Sequence, residues 1–519
     1  MRKLLVSLLL FVFAVAVMAQ QQLAFPEAQG WGRYAVGGRY GSVYHVTNLN
    51  DSGTGSLRDA VSQKNRIVVF DVAGVIQLKS RLVFSANLYV AGQTAPGEGI
   101  TVYGNGVSFS GASNIICRYM RFRMGVGGDS GKDCAGVANG TNMIFDHCSF
   151  AWGRDETFSI NPDGKGDLHS ITLQNCVVGQ GLMSHSAGGL MQADYITLYG
   201  NFYCDNSTRN NKVKGRNQYA NNIVYNWKDG AYIMGGDSEG QSYCNIQGNL
   251  FINGPEGGGN AFTGGNMNFH CYVADNLQDQ NCNGVLDAQQ VTSFSGADVV
   301  AKPFDYPELD IISASAVIDN LNYVGASFPS RDYVDCYMVD EARSFGLSGA
   351  FISNEGSLPY GTPNTWTVWK GEKLTDSDGD GIPDVWEERI GSDPMKNDAM
   401  VIAANGYTNI ENYLNRLPVE GRSLEYLRAP MLVTQSASTT TTMQIDWRDW
   451  TEGETGFIVE ARTADGDFEV VAMADANATS AKLTELTPGT AYTVRVRAWA
   501  GDVADENALF SAYSKEVTF

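Results

Sequence analysis

Apolar residues alternate with polar ones in short runs along the first half of the chain, and the runs end in the same way. A run rich in isoleucine or valine is followed by a polar residue, then by cysteine or asparagine, then by another apolar residue. This period-two alternation predicts strands rather than helices. The cysteine or asparagine positions recur at intervals of 21 to 28 residues and are Cys148, Cys176, Asn201, Asn222, Asn249 and Asn276.

A repeat of this length predicts a solenoid, in which each turn of the chain stacks on the previous one. Leucine-rich repeats have a similar period but need a dense leucine pattern, which this chain lacks. We therefore predict an all-β fold built on a right-handed parallel β-helix. Asparagines at one inward turn can hydrogen-bond along the stack and satisfy amide groups that are costly to bury. Cys148 and Cys176 are expected to fill the same column as small buried thiols without chemistry.

Composition changes this picture in two ways. The 519 residues are enough for roughly two to four domains, and the formal charge of −21 argues against binding of duplex nucleic acid, which needs a basic face. The acidity is also uneven. Residues 372–519 contain 26 acidic and 12 basic residues, a net charge of −14, which leaves −7 for the first 371 residues. Most of the negative charge is therefore expected outside the β-helix.

The first residues have the features of a secretory signal peptide. Arg2 and Lys3 precede an apolar run over residues 4–17, and small residues lead to a cleavage position after Ala19. The run is short, and no later segment has enough consecutive apolar residues to span a bilayer. We expect the signal peptide to be removed and the protein to be secreted, as an extracellular, periplasmic or cell-surface protein.

Seven short motifs occur in order along the predicted β-helix. They are AFPEA at 24–28, GGR at 37–39, NLNDSGTGSLR at 48–58, AGQTAPG at 91–97, RYMRFR at 118–123, FDHCSF at 145–150 and NNIVYNW at 221–227. This set resembles the pectate lyases of polysaccharide lyase family one, in the form common in gut and plant-degrading bacteria. The resemblance implies a secreted enzyme that cleaves de-esterified pectin by calcium-assisted β-elimination and leaves unsaturated oligogalacturonates.

Such a lyase removes the proton on C5 of a uronate, which is acidic only if the adjacent carboxylate is neutralised. A metal ion can neutralise it, and oxygen ligands from neighbouring coils suit calcium. The resemblance implies that Asp133 and Asp155 are calcium ligands, with Glu156 and Asp129 as neighbouring acids. Two further family ligand positions hold glycine and serine here. We therefore expect weak calcium affinity, or a site that substrate carboxylates complete.

The same resemblance assigns roles to a basic stretch. Arg209 falls where the family places its Brønsted base, and Lys214 falls where a second family arginine binds a substrate carboxylate. Lys212 and Arg216 complete the cluster and are expected to bind substrate. Many relatives have a substrate-binding lysine near the position of His185, so this histidine is the candidate for that contact. The Asp146–His147 pair of the FDHCSF motif is expected to brace the stack of coils.

A second acidic segment follows the repeats. Residues 376–387 reproduce the ligand spacing of an EF-hand loop, with glycine at the sixth position. We expect one structural calcium there and no sensor role. A related loop around residue 405 lacks its early acidic ligands, so a second site is not expected. The predicted ligands are Asp376, Asp378, Asp380, the carbonyl of Ile382, Asp384 and Glu387.

The last segment resembles a fibronectin type III sandwich. Its apolar residues alternate, Trp447 lies in an early strand, and Tyr492 has the position of a tyrosine corner. We therefore predict four parts: a signal peptide at 1–19, a β-helical lyase domain at 20–370, a calcium-binding module at 371–424 and a sandwich at 425–519.

These features predict a monomeric pectate lyase with Ca²⁺ as cofactor and an acidic plant polysaccharide, pectate or polygalacturonan, as partner. Three alternatives stay open. A polygalacturonase would hydrolyse through paired carboxylates, but its Asp-Asp, Gly-His-Gly and Arg-Ile-Lys signatures are absent. A pectin lyase usually has arginine in place of calcium-binding acids, whereas Asp133 and Asp155 are retained. A non-catalytic polysaccharide-binding β-helix would fit the departures at the acidic positions and at His185.

Overall fold

The computed structural model describes residues 21–235, 240–421, 426–505 and 508–519. The predicted signal peptide at 1–19 lies outside these residues. The described chain forms about nine turns of a parallel β-helix, followed by a small helical module and an antiparallel sandwich. The prediction of an all-β fold built on a solenoid is confirmed.

Each coil contributes one strand to each of up to three sheets, called here sheets 1, 2 and 3. Sheet 1 contains Ser42–Val46, Arg66–Phe70, Leu88–Ala91, Ile115–Arg118, Gly140–Asp146, Leu168–Gln174, Asp194–Tyr199, Arg216–Ala220, Ser242–Gln247, Phe269–Ala274 and Asp298–Val299. Sheet 2 contains Gly74–Gln77, Ile100–Tyr103, Arg121–Arg123, Ser149–Ala151, Val177–Gly179, Phe202–Cys204, Ile223–Tyr225, Leu250–Ile252, Leu277–Asp279 and the antiparallel Gln289–Gln290. Sheet 3 contains Leu82–Val83, Val107–Ser108, Ala135–Val137, Phe158–Ile160, Leu190–Met191, Lys212–Val213, Tyr232–Ile233 and Phe262–Thr263.

Helices lie at the ends of the β-helix and against its outside. The α-helices of the described residues are α1 (Leu57–Ser62), α2 (Tyr333–Arg343), α3 (Asp384–Ile390) and α4 (Asn409–Glu420). Short 3-10 helices lie at Gly92–Thr94, Val317–Asn322, Glu355–Ser357 and Pro363–Thr365. None of the helices in the described part of the chain is both long and apolar enough to cross a lipid bilayer.

The cysteine and asparagine column is a continuous hydrogen-bonded ladder inside the β-helix. The side-chain oxygen of Asn222 accepts bonds of 3.0 Å from both the backbone and side-chain nitrogens of Asn201. Asn222 donates in the same way to Asn249, at 2.9 and 3.1 Å. Cys176 joins the ladder through its backbone N–H, which donates to Asn201 at 2.9 Å. Each buried amide is thus satisfied by the next coil, which fixes the register of the stack.

All nine cysteines are free thiols, and seven of them are buried. Cys148 and Cys176 are fully buried in the apolar core of the β-helix, as predicted. The sulfur of Cys148 lies 3.8 Å from that of Cys117 on the preceding coil. These thiols therefore pack within the core rather than forming a disulfide framework.

The Asp146–His147 pair braces neighbouring coils, as predicted. Asp146 accepts a hydrogen bond of 2.7 Å from Arg118 on the preceding coil and one of 2.9 Å from Gln174 on the next coil. His147 lies 2.9 Å from the same carboxylate and stacks on Tyr119. Burial alone would raise the pKa of Asp146, but the charges of His147 and Arg118 hold it well below its usual range.

Helix α2 covers sheet 2 and is fixed there by a buried ionic contact. Arg123 of sheet 2 is fully buried and donates to Asp332 at 2.8 and 3.0 Å and to Asp335 at 2.8 Å. Asp332 also caps the helix, since its side chain accepts from the N–H of Asp335. Apolar side chains of α2, among them Val334 and Met338, pack on sheet 2 in the same region.

The helical module packs against the first coils of the β-helix. Ile382, Trp386 and Ile410 of the module share one apolar cluster with Phe25 and Ile67. Nearby, the buried side chain of Arg39 forms an ion pair of 2.9 Å with the buried side chain of Glu411. The predicted module is therefore continuous with the β-helix through both apolar and ionic contacts.

The C-terminal segment forms an antiparallel sandwich. One sheet contains Met431–Ser438, Met443–Arg448 and Ser480–Leu483; the other contains Gly456–Arg462, Glu469–Asp475, Thr493–Ala500, Leu509–Phe510 and Val517–Thr518. Trp447 lies in the second strand and is buried, as predicted. The hydroxyl of Tyr492 accepts a bond of 3.0 Å from the N–H of Thr487, which is the contact of a tyrosine corner.

A buried pair of acids gives the first prediction. Asp205, just after a strand of sheet 2, and Glu341 of α2 are both buried, and burial and then mutual repulsion raise the pKa of Glu341. A raised pKa means that the contribution of Glu341 to stability is present at low pH and is lost as pH rises towards the folded-state pKa. Glu341→Gln should therefore raise the melting temperature more at pH 8 than at pH 5. Melting curves at the two pH values test this, and an equal shift at both would contradict it.

Candidate active site

The loops that lead into sheet 3 bring residues from consecutive coils together. Isolated parallel β-bridges pair Glu156 with Ala187 and Ala187 with Thr208. Neighbouring strands in a sheet lie about 4.8 Å apart, so side chains at one edge form a row along the stack. Glu156 and Arg209 consequently meet, although 53 residues separate them in the sequence.

Four of the sequence-predicted residues form one contact network. Nε2 of His185 lies 3.1 Å from Oδ1 of Asp155 and 3.9 Å from Oε1 of Glu156. A guanidinium nitrogen of Arg209 lies 3.2 Å from the same histidine nitrogen and forms an ion pair with Glu156. Glu156 is buried, whereas the side chains of His185 and Arg209 are 47% and 28% exposed. A ligand on the outer face of the coils can therefore reach the histidine and the arginine.

Asp133 adds a third carboxylate from the preceding coil. Its Oδ1 lies 3.3 Å from the backbone nitrogen of Glu156, which donates to it. Burial and then the negative charges of Glu156 and Asp155 raise the pKa of Asp133 to about 7. A bound cation would relieve this repulsion. Asp155, Glu156 and His185 each place one ligand atom within 4.8 Å of the others, and the three carboxylates suit a hard cation such as calcium.

Arg209 is held in place by its backbone as well as by its side chain. Its φ of 55° lies in the left-handed region, which is uncommon for a residue with a side chain. The carbonyl of Arg209 accepts a bond of 2.7 Å from the N–H of Gly189 on the preceding coil. Arg209 is thus fixed just before the sheet 3 strand Lys212–Val213, with its guanidinium directed to Glu156.

Lys212 and Lys214 continue the outer face of sheet 3. Lys212 pairs in register with Leu190 of the preceding coil and with Ile233 of the following one. Val213 between the two lysines is fully buried, whereas both lysines are partly exposed. The alternation places both lysine side chains on the outside of the sheet, where a ligand can reach them.

Two other sequence-predicted residues are not brought to this network. Arg216 lies in sheet 1, where it forms an ion pair with Asp194 and lies over the ring of Tyr195. Asp129 is exposed, and its Oδ1 lies 3.4 Å from the side-chain nitrogen of Asn105. Arg216 is close to Lys214 in sequence, but the chain passes from sheet 3 to sheet 1 between them. Asp129 is close to Asp133 in sequence, but it lies in an exposed loop.

The structure adds Arg81, which no motif indicated. Arg81 directly precedes the first strand of sheet 3, two coils before Asp133, and a guanidinium nitrogen donates to the Asp133 carbonyl at 3.2 Å. A Cβ added at Gly136 would lie 3.3 Å from Oδ2 of Asp133 and 4.0 Å from the other terminal nitrogen of Arg81. Glycine therefore leaves space where the arginine and the acid approach each other. The acids Asp133, Asp155 and Glu156, called here the acidic centre, thus have Arg81 on one side along the stack and Arg209 on the other.

The predicted EF-hand loop lies far along the chain from this network, before and within α3. Asp376, Asp378 and Asp380 converge, with one carboxylate oxygen of each within 4.8 Å of the others. Glu387 lies in α3 and is fully buried, and burial raises its pKa to about 7. The buried Ile382 follows directly after the turn of the loop. Asp384 is the first residue of α3, and both of its carboxylate oxygens accept bonds from Ser377 rather than joining the other acids.

Most of the chain is similar to known fungal proteins. "Probable pectate lyase C" of Neosartorya fischeri is 51% identical over 421 residues, which cover 80% of this chain and 97% of that protein. A protein of the same name from Aspergillus flavus is 50% identical over 404 residues, which cover 76% and 94%. The crystal structure of jun a 1, the major allergen from cedar pollen, has a TM-score of 0.45 at 17% identity and covers 57% of this chain and 92% of that chain. Residues 428–507 match the fibronectin type III domain family.

The fungal similarity decides the family. About half of the aligned residues are identical along nearly the whole length of the relatives. These relatives come from fungi, whereas the motifs led us to expect the form common in bacteria, and the bacterial form stays a prediction. The sequence similarity shows that the chain belongs to the pectate lyase family.

Proposed function

We propose that this pectate lyase is a secreted, calcium-dependent enzyme that cleaves de-esterified galacturonan on the outer face of sheet 3. The observation that carries the proposal is the network of Asp133, Asp155, Glu156, His185 and Arg209, which joins carboxylates and cationic side chains from successive coils. The family membership supports a lyase reaction, and the acidic cluster supports the metal requirement.

The reaction is a β-elimination. The proton on C5 of a galacturonate unit is removed, the electron pair forms a C4=C5 double bond, and the bond from C4 to the glycosidic oxygen breaks. That oxygen leaves with its electron pair and is protonated. Calcium held by Asp133, Asp155 and Glu156 would neutralise the substrate carboxylate, which makes the neighbouring C5 proton acidic.

Arg209 is the proposed proton acceptor. An arginine can take a proton only where nearby positive charge disfavours its charged form, so its place beside a cation site matters. Its contact with Glu156 fixes the guanidinium, and its partial exposure lets a sugar approach. His185 lies within 3.2 Å of the same guanidinium and is proposed to orient it and to contact the substrate.

Basic side chains on both sides of the acidic centre are proposed to bind other carboxylates of the polymer. Lys212 and Lys214 lie on the outer face of sheet 3, towards the C-terminal coils, while Arg81 lies towards the N-terminal coils. The polymer is a regular row of carboxylates, and the coils repeat about every 4.8 Å. A chain bound along the stack would therefore meet these cations in turn, which favours de-esterified over methyl-esterified substrate.

The first test concerns turnover. With calcium, the purified protein should release ultraviolet-absorbing unsaturated product from polygalacturonate, and a chelator should abolish this release. If calcium-loaded protein forms no such product from any uronan, or if chelation leaves the rate unchanged, the proposed function is wrong. Tight polymer binding without product would instead select the non-catalytic alternative.

The second test concerns Arg209. Arg209→Ala should lower kcat by on the order of 10² to 10⁴, the usual contribution of a positioned base. Arg462→Ala removes one positive charge within the sandwich, where Arg462 contacts Glu516 and Phe468, and serves as the matched control. Circular dichroism should show that both variants keep the fold. Wild-type turnover in the Arg209 variant would exclude it as the proton acceptor.

The third test concerns Arg81. Arg81→Gln removes one charged contact, worth about 1.5 to 3 kcal/mol, and should raise KM roughly tenfold or more. The value of kcat on long de-esterified chains should change little, because Arg81 is not close to the proposed base. Steady-state kinetics on polygalacturonate and on partly methyl-esterified pectin measure this. A loss of kcat with unchanged KM would show instead that Arg81 only supports Asp133.

A further inference from the structure

A carboxylate outside the predicted loop joins the acidic residues of the helical module. Asp380, Glu387 and Asp398 place one carboxylate oxygen each within 4.8 Å of the others. Asp380 also belongs to the group formed with Asp376 and Asp378. Five acidic side chains therefore form two groups that share Asp380, and one of them, Asp398, lies beyond the twelve-residue loop.

Asp398 lies close to Asp380 and Glu387 because its backbone is fixed to the loop. The Oδ2 atom of Asp380 accepts bonds from the N–H groups of Asp398, at 3.0 Å, and of Ala399, at 2.8 Å. The side-chain nitrogen of Asn409, the first residue of α4, donates to Oδ1 of Asp398 at 2.9 Å. The side chain of Asp398 is only 14% exposed. The second half of the module thus supplies an acid to the site of the first half.

Asp384, by contrast, is already satisfied elsewhere. Its Oδ1 accepts from the backbone N–H of Ser377 at 2.8 Å, and its Oδ2 accepts from the Ser377 hydroxyl at 2.7 Å. These bonds close the loop at the start of α3. Asp384, the predicted ligand at the ninth loop position, therefore binds Ser377 with both carboxylate oxygens.

Glu387 provides an independent sign that the site takes a cation. This side chain is fully buried, and its Oε2 has no hydrogen-bond partner among the described residues, although Oε1 accepts from Ser392 at 3.0 Å. A buried carboxylate oxygen without a donor is costly. Among the described residues, one of these five acids, Asp398, forms an ion pair with the 69% exposed Lys396, at 3.6 Å. The described part of the chain thus places one ion-paired basic side chain against five carboxylates.

We propose that Asp398 is a direct ligand of a calcium ion in this module, together with Asp376, Asp378, Asp380 and Glu387, while Asp384 is not. An all-oxygen set with several carboxylates is the chemistry that calcium prefers in proteins. The ion joins the loop, α3 and the segment that leads into α4.

The consequence is mechanical rather than catalytic. Ala399, next to Asp398, is buried in the cluster that Ile382, Trp386 and Ile410 form against Phe25 of the β-helix. The carbonyl of Ala399 accepts from the N–H of Ile410 at 2.9 Å, which ties the segment to α4. Calcium in this site therefore clamps both helices of the module into the surface that packs on the first coils, and stabilises the docked arrangement.

The test compares two conservative variants of the full-length protein. In a background with Asp133→Asn and Asp155→Asn, which removes acids of the sheet 3 cluster, titration calorimetry with CaCl₂ should detect one site in the module. Asp398→Asn should weaken this binding tenfold or more and reduce the rise in melting temperature between chelator and calcium. Asp384→Asn, which also exchanges one carboxylate for an amide, should keep both the affinity and the rise. Glu387→Gln should lose binding as Asp398→Asn does.

Two results would overturn the proposal. One is the absence of any calcium binding by the background protein, and the other is wild-type affinity in Asp398→Asn with loss in Asp384→Asn. Near-ultraviolet circular dichroism with calcium shows whether each variant is folded. In the otherwise wild-type protein, Asp398→Asn should keep lyase turnover at temperatures well below its melting point. This separates the clamp from the proposed reaction, which depends on the sheet 3 residues.

Discussion

The structure depends on the in-register stacking of parallel coils, and the buried ladder from Cys176 to Asn276 is the interaction that fixes that register. The side-chain oxygens of Asn201 and Asn222 accept from the preceding coil, and their side-chain nitrogens donate both to a backbone carbonyl of that coil and to the side-chain oxygen of the next asparagine. A shift of one residue would break these bonds and would move apolar side chains to the outside of the strands. The rigidity of this register is what lets residues far apart in sequence form a site at one edge of sheet 3.

The acidic centre on sheet 3 and the acidic loop of the module differ in their balance of charge and in their exposure to solvent. The centre on sheet 3 mixes carboxylates with Arg81, Arg209 and His185, and it is open to solvent on the side where the arginine and histidine lie. The centre in the module is more enclosed and has carboxylates in large excess over basic groups. The first arrangement suits a cation and an anionic polymer that come together, and the second suits a permanently bound cation. The overall charge of −21 is therefore compatible with an acidic substrate, because Arg81, Arg209, Lys212 and Lys214 place basic side chains along sheet 3.

The module and the sandwich, which follow the β-helix in the chain, are joined to it by buried ion pairs and hydrogen bonds. Arg428, at the start of the sandwich, forms a buried ion pair of 2.9 Å with Glu98, and Trp450 donates to Asp340 of α2 at 2.8 Å. Arg39 and Glu411 make the equivalent buried pair with the module. Breaking a buried pair by removing one partner leaves an uncompensated charge, so these contacts hold the parts in defined positions. The sandwich and the module are thus fixed to the β-helix and its covering helix.

The sequence by itself determined the solenoid, the sandwich and the identity of most candidate residues, because period-two alternation, the repeated asparagine and the family motifs are local properties of the chain. It also indicated the acidic loop, since EF-hand spacing is local. Only the tertiary structure decided which of these residues meet. It separated Arg216 from Lys214 by placing them on different faces, brought in Arg81 from two coils before Asp133, and grouped Asp398 with Asp380 and Glu387 while Asp384 bonds Ser377. These choices depend on coil register and on helix docking, which join residues distant in sequence and leave no fixed spacing between them.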